Sequence, residues 1–225
     1  MSVESYFQQR ADQFDALYGE QAGWQRWLNR WLRAGLYERA EMAANAVSAV
    51  DGAAVLDVGC GSGRNSMLFH NSGARRVVGI DLAENMVKLA RQFSQQHGAG
   101  LSGQARSAQT EFIWADFMKF NFDEKFDVAV ALGVFDYIAE PAPMLRKMAS
   151  LATRKIMASF PGASLVRAPL RKIRYAVRRC PVYFYTEAGL KQIFAQAGMP
   201  QARIVRYASS GFMGIAELAP SGAVE

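Results

Sequence analysis

VLDVGCGSGRNS, residues 55–66, is a short apolar run that closes on Asp57 and passes into a glycine-rich turn, and its reading decides the fold. Gly59, Gly61 and Gly63 permit a tight turn and let a ligand approach the backbone closely. The order is G-x-G-x-G, whereas a dinucleotide fingerprint is G-x-G-x-x-G and offers its N–H groups to a pyrophosphate. Asp57 stands two residues before the first glycine, where it would repel a pyrophosphate and suit a ligand with positive charge beside the turn.

Working outward, the chain alternates strand and helix. AAVLDV is the first expected strand, and NSMLFHNSG a helix stopped by Gly73. VVGID follows as strand two, AENMVKLARQFSQQHG as a helix ending at Gly98, and residues 98–110 read as a mobile loop. EFIWAD, FDVAVALG and RKIMASF are strands three to five, with PAPMLRKMASLA between the last two as a helix opened by proline. TEAGLKQIFAQAG is a helix capped by Thr186 and ended by Gly198. ARIVRYA and FMGIAEL then fit an antiparallel closing pair that would form one edge. This pattern predicts an α/β fold with a Rossmann-like, mostly parallel seven-stranded sheet, helices on both faces and an antiparallel last strand. Residues 1–50 carry aromatic stripes at helical spacing (Phe7, Phe14, Tyr18; Trp24, Trp27, Trp31) and predict an N-terminal helical cap. The core is expected over 51–219.

Bulk properties narrow the function. The leading residues are too polar for a signal peptide and no apolar run approaches a membrane span, so a cytoplasmic protein is expected. Cys60 and Cys180 stand apart without a pairing or ligand pattern, and no metal site is indicated. The net charge is +6. Between Glu140 and Glu187 there is no acidic residue, while ten Lys and Arg stand there, more than the whole net charge. The segment 166–179 interleaves Val166, Leu170, Ile173 and Val177 with arginines and a lysine, which reads as a basic amphipathic element within a helical insert over about 161–182, either a surface helix packing its apolar side on the core or a substrate lid. An anionic or amphiphilic acceptor, or peripheral membrane contact, fits this better than nucleic acid, for which no binding module is visible.

Two more carboxylates complete the pattern. Asp81 closes the second strand, 24 residues beyond Asp57, where an acid can bind ribose hydroxyls. Asp116 follows FIWA beside Phe117, an arrangement suited to an adenine amino group with an aromatic ring stacked on the base. In this order, VLDVGCGSG, VVGIDLAENMVKLA and FIWADF resemble the motifs of class I S-adenosylmethionine-dependent methyltransferases, over residues 51–218. The resemblance implies S-adenosyl-L-methionine as cofactor and S-adenosyl-L-homocysteine as product. It implies that Asp57 with Gly59, Cys60, Gly61 and Gly63 holds the methionine end, Asp81 with Leu82 the ribose, and Asp116 with Phe117 the adenine. Met86 would line the adenine pocket, and Leu132 would lie near the transferred methyl.

Methyl transfer from a sulfonium is an in-line displacement in which alignment and exclusion of water matter most. The two histidines, His70 and His97, fall on crossover helices, which argues against a histidine base. Asp136 and Tyr137, in LGVFDYI after strand four, are the candidates to orient an acceptor, with Tyr18 of the cap as a third. The chain also resembles, more softly, the magnesium-protoporphyrin O-methyltransferases in its N-terminal YFxxxA-type helix, its insert after strand five and its CPVYFY return. The expected function is methylation of a small, anionic or amphiphilic metabolite, on oxygen. Methylation of RNA or protein, or a non-catalytic cofactor-binding subunit, are the alternatives.

Overall fold

The computed structural model describes residues 23–98, 109–162, 182–207 and 211–218, with side chains from residue 35 onward. Tyr18, most of the loop expected over 98–110, the basic segment 166–179, Cys180 and the turn at Ser209-Ser210 lie outside the described residues.

Seven strands form one sheet: β1 Ala54–Val58, β2 Arg76–Asp81, β3 Gln109–Trp114, β4 Phe126–Ala131, β5 Ala152–Phe160, β6 Arg203–Tyr207 and β7 Gly211–Glu217. The order is β3-β2-β1-β4-β5-β7-β6. Parallel ladders join β3 to β2, β2 to β1, β1 to β4 and β4 to β5, while β7 runs antiparallel to both β5 and β6. The last strand is therefore antiparallel, as expected, but the edge is not. Only β7 is reversed, and it lies one place in, between β5 and the edge strand β6. Strand β3 also starts at Gln109, inside the expected loop, because Gln109 and Thr110 pair with Arg76 and Val77.

The helices are α1 Gly23–Ser48, α2 Arg64–Asn71, α3 Glu84–Gly98, α4 Pro141–Leu151 and α5 Glu187–Gln196. Strand alternation divides the apolar side chains between two faces. On one, Val55, Val77, Val128 and Val130 pack with Ala43 and Val47 of α1 and Phe69 of α2. On the other, Leu56, Val78 and Ile156 pack with Leu145 and Met148 of α4 and Leu190 and Phe194 of α5. Pro141 opens α4, and Thr186 caps α5 by accepting from the Gly189 N–H at 3.2 Å. Strands buried on both faces with crossover helices place the ends of β1, β2, β3 and β4 along one rim, where ligands bind in sheets of this kind.

The basic stretch looks different in three dimensions. Arg146 donates to the Gln196 carbonyl, Lys147 to two loop carbonyls, Arg154 pairs with Asp127 at 3.6 Å and Lys155 with Glu217 at 3.3 Å. These four charges serve the fold. The other six of the ten lie outside the described residues. Among the described residues, no helix is long and apolar enough to cross a membrane.

Candidate active site

The glycine-rich turn lies between the carboxyl end of β1 and the start of α2, tied to β2 by the Gly59 and Cys60 N–H groups, which donate to the Ile80 carbonyl at 2.8 and 3.2 Å. Gly59, Gly61 and Gly63 all have positive φ. The first two differ in their surroundings. A Cβ on Gly59 would stand 2.3 Å from Val134 Cγ2, whereas a Cβ on Gly61 would meet nothing within 4 Å. The turn is thus packed below and open above. Gly59→Ala is expected to cost roughly 2–5 kcal/mol, combining a left-handed backbone with a hard clash. Gly61→Ala should cost only the backbone strain, about 1–2 kcal/mol, yet place a methyl in the open space. Denaturant unfolding and ligand titration of the two variants check this.

Two carboxylates flank the opening. Asp57, next to last in β1, is 1% exposed and accepts from Ser66 Oγ at 2.6 Å. Burial pushes its carboxyl up to about 7, the Ser66 hydrogen bond opposing and the nearby Asp81 adding to the rise. Asp81 accepts from the Gly61 N–H and the Ala83 N–H, both at 2.9 Å. Burial raises its carboxyl too, against these backbone bonds. A buried acid and a half-buried one beside an open turn, with no ion pair to either among the described residues, make a site that favours a positively charged ligand.

A third group at this site escaped the sequence reading. Arg39 of α1 lays its guanidinium over Gly133, in the loop after β4: a Cβ there would stand 2.9 Å from Nη2 and 3.2 Å from Nη1. Among the described residues Arg39 forms no ion pair with a carboxylate. The Gly133 N–H donates to Ser159 Oγ at 2.8 Å, fixing the floor beneath it. A cation from α1 and an acid from β1 thus stand at the same end of the sheet, the charges that a zwitterionic amino-acid group requires.

The remaining expected residues divide. Leu82 is 40% exposed on the rim after β2, and Leu132 is buried at the end of β4. Met86 is buried beside Ala83, with Leu89 packed against it. Cys60 is buried against Val87, Ala90 and Phe112 with its thiol pushed well above the usual range, so only its backbone faces the ligand side. Asp116 opens a turn over 116–120, its Oδ1 accepting from the Met118 N–H at 2.9 Å. Phe117, expected to stack on the adenine, is 6% exposed and packs within the core. The exposed apolar side chains on this rim are Leu82, Trp114 and Met118 instead. Trp114 is fixed by its indole N–H, which donates to the Leu82 carbonyl at 3.1 Å.

Asp136 is buried and Tyr137 half-buried in the loop after β4. The return segment braces that loop. The Tyr183 N–H donates to the Asp136 carbonyl at 3.0 Å, and the Tyr185 hydroxyl lies 3.1 and 2.9 Å from the Phe135 and Ile138 carbonyls. His70 sits beside Thr110 on α2 and His97 is exposed on α3.

Residues 55–155, which carry the glycine-rich turn and the rim acids, match the family model described as a methyltransferase domain. Among particular proteins, the chain is 27% identical over 211 residues to the magnesium-protoporphyrin O-methyltransferase of Synechocystis, covering 89% of this chain and 87% of that one. The crystal structure of that organism's magnesium protoporphyrin IX methyltransferase with bound S-adenosylhomocysteine superposes with a TM-score of 0.76 at 25% identity, covering 96% and 98% of the two chains. The ubiquinone biosynthesis O-methyltransferase of Leptothrix cholodnii is 33% identical over 105 residues, 47% of this chain. The match spans only 42% of that relative's length, and a similar match spans 50% of the Coxiella burnetii protein of the same name.

Proposed function

We propose that this protein is an S-adenosylmethionine-dependent O-methyltransferase whose acceptor is a carboxylate on a small amphiphilic molecule, a tetrapyrrole propionate being the first to test. The observation that carries the acceptor class is the end-to-end likeness to the magnesium-protoporphyrin enzyme, against the partial overlap with the ubiquinone ones. When bound, S-adenosylmethionine supplies an electrophilic methyl on a sulfonium. Asp57 would take its ammonium, Arg39 its carboxylate and Asp81 the ribose diol, with the turn over 116–120 at the purine. The open space over Gly61 leaves room for the ligand to lie against the turn.

The chain's own work is then alignment. Asp136 and Tyr137 would orient the acceptor, and Tyr185 would hold their loop in place. A carboxylate is nucleophilic without losing a further proton, so no strong base is needed. We also infer a cytoplasmic location, with segment 166–179 as lid or surface contact for the amphiphile.

Proton linkage tests the Asp57 assignment. The unfolded chain ionises this carboxyl near its ordinary value of about 3.9, whereas the folded, ligand-free protein holds the proton until pH about 7. Its contribution to stability is therefore present near pH 4 and lost as the pH rises through 7. A bound ammonium reverses the preference and drives the proton off. At pH 6, calorimetry in buffers of different ionisation enthalpy should register close to one proton released per S-adenosylhomocysteine bound, falling toward zero by pH 8. Zero release at pH 6 would remove Asp57 from the ammonium site.

The acceptor is tested with purified protein, methyl-labelled S-adenosylmethionine and magnesium-protoporphyrin, with its dimethyl ester as control. Turnover of the free acid and none of the diester is expected. Transfer to a catechol with none to a carboxylic acid would overturn the carboxylate reading in favour of the ubiquinone-like one.

A further inference from the structure

We propose that Lys147 is a positioning residue for purine recognition, holding the turn over 116–120 in the shape that presents Asp116 to the ligand. The proposal rests on the reading that this turn faces the purine. Lys147 is on α4, far in sequence from the glycine-rich motif. Its Nζ donates to the Phe120 carbonyl at 2.7 Å and to the Met118 carbonyl at 3.1 Å, and lies 5.2 Å from the centre of the Phe117 ring. An ammonium has three donors and no acceptor. Two go to carbonyls, and the charge sits over an aromatic ring, a favourable contact in its own right.

These contacts complete a small capped unit. At its start, Asp116 Oδ1 accepts from the Met118 N–H, and the Asp116 carbonyl accepts from the Lys119 and Phe120 N–H groups at 3.0 and 2.9 Å. At its end, the last carbonyls of a helical turn have no partner within the turn, and a cation there satisfies them. Lys147 fills that role from outside. It also keeps Phe117 turned into the core, so that Asp116 before it and the exposed Met118 after it stay on the rim. Phe122 packs on Phe117 and on Phe126 of β4, at 6.3 and 5.6 Å between ring centres, so the unit is anchored on its core side without Lys147. What Lys147 adds is the geometry of the rim side.

The test uses the full chain and two probes, S-adenosylhomocysteine and 5′-methylthioadenosine, which share the purine and ribose. Lys147→Met keeps the aliphatic stem and loses charge and donors. It should weaken both probes by about tenfold, raising KM for S-adenosylmethionine while leaving kcat at saturation unchanged. Lys147→Arg, which can bridge both carbonyls, should restore most of the loss. Should Lys147→Met not fold, Lys147→Gln carries the same test with an intermediate loss expected. Affinity within twofold of wild type in the folded Lys147 variant overturns the proposal, and a tenfold loss in Asp116→Ala alongside it shows that the purine reading survives. No loss in Asp116→Ala either removes the purine reading and the proposal with it.

Discussion

Asp81→Ala is expected to weaken S-adenosylhomocysteine binding by about 100- to 10,000-fold while leaving a folded protein. A carboxylate offers about four acceptor positions. The Gly61 and Ala83 N–H groups hold one oxygen each and the Leu82 N–H also bonds the carboxylate, which fixes its orientation. The outward lone pairs would receive the ribose hydroxyls. Each hydrogen bond to a charged group is worth about 1.5–3 kcal/mol, and two lost together give the predicted range. Asp81→Asn should fare little better, because Oδ1 and Oδ2 each accept a backbone N–H, so the NH2 faces one of those donors whichever way the amide turns. Titration calorimetry with circular dichroism checks both variants. A loss under threefold in a folded Asp81→Ala would place the ribose elsewhere.

Arg39→Met should separate the two ends of the ligand. The substitution keeps an aliphatic stem and loses the guanidinium over Gly133. Affinity for S-adenosylhomocysteine should fall roughly 10- to 100-fold, the worth of one strong charge-assisted contact. Affinity for 5′-methylthioadenosine, which has no amino-acid carboxylate, should not change. Arg39→Lys should recover only part, since a point charge cannot reproduce a planar two-pronged contact. Equal loss for both probes would mean that Arg39 supports the fold of the loop and binds no carboxylate.

Arg39 also marks the limit of what the chain's sequence discloses. Within GLYERAEMAANAV it is one polar position on an amphipathic helix, and nothing local distinguishes it from Glu38 or Glu41. Its role depends on how α1 crosses the end of β4. The one available signal was chemical: a ligand with both ammonium and carboxylate needs a cation as well as Asp57, and the motifs' own Arg64 and Lys88 are engaged elsewhere, over the Phe93 ring and with Glu84. The acids Asp57 and Asp81 were legible because each sits at a strand end fixed by the apolar run before it. The direction of the Phe117 ring was not legible, for the opposite reason. Adjacency to Asp116 says nothing about which way a ring turns, and the turn over 116–120 directs it into the core beside Phe122. The reversed strand was legible as a hairpin, but its place between β5 and β6 was not, because either member of a hairpin can take the inner position. Lys147 and its neighbours counted as surplus charge in the sequence, whereas in the structure they close carbonyls and pair with acids.

The central claim is methyl transfer to a carboxylate oxygen of a small molecule. It is tested most directly by incubating the protein with methyl-labelled S-adenosylmethionine and cell extract, then fractionating. Label should enter the organic-soluble small-molecule fraction, leave it as volatile methanol under mild base, and be absent with Asp57→Ala and Asp81→Ala. Label in RNA or protein, or small-molecule label stable to base, would contradict it.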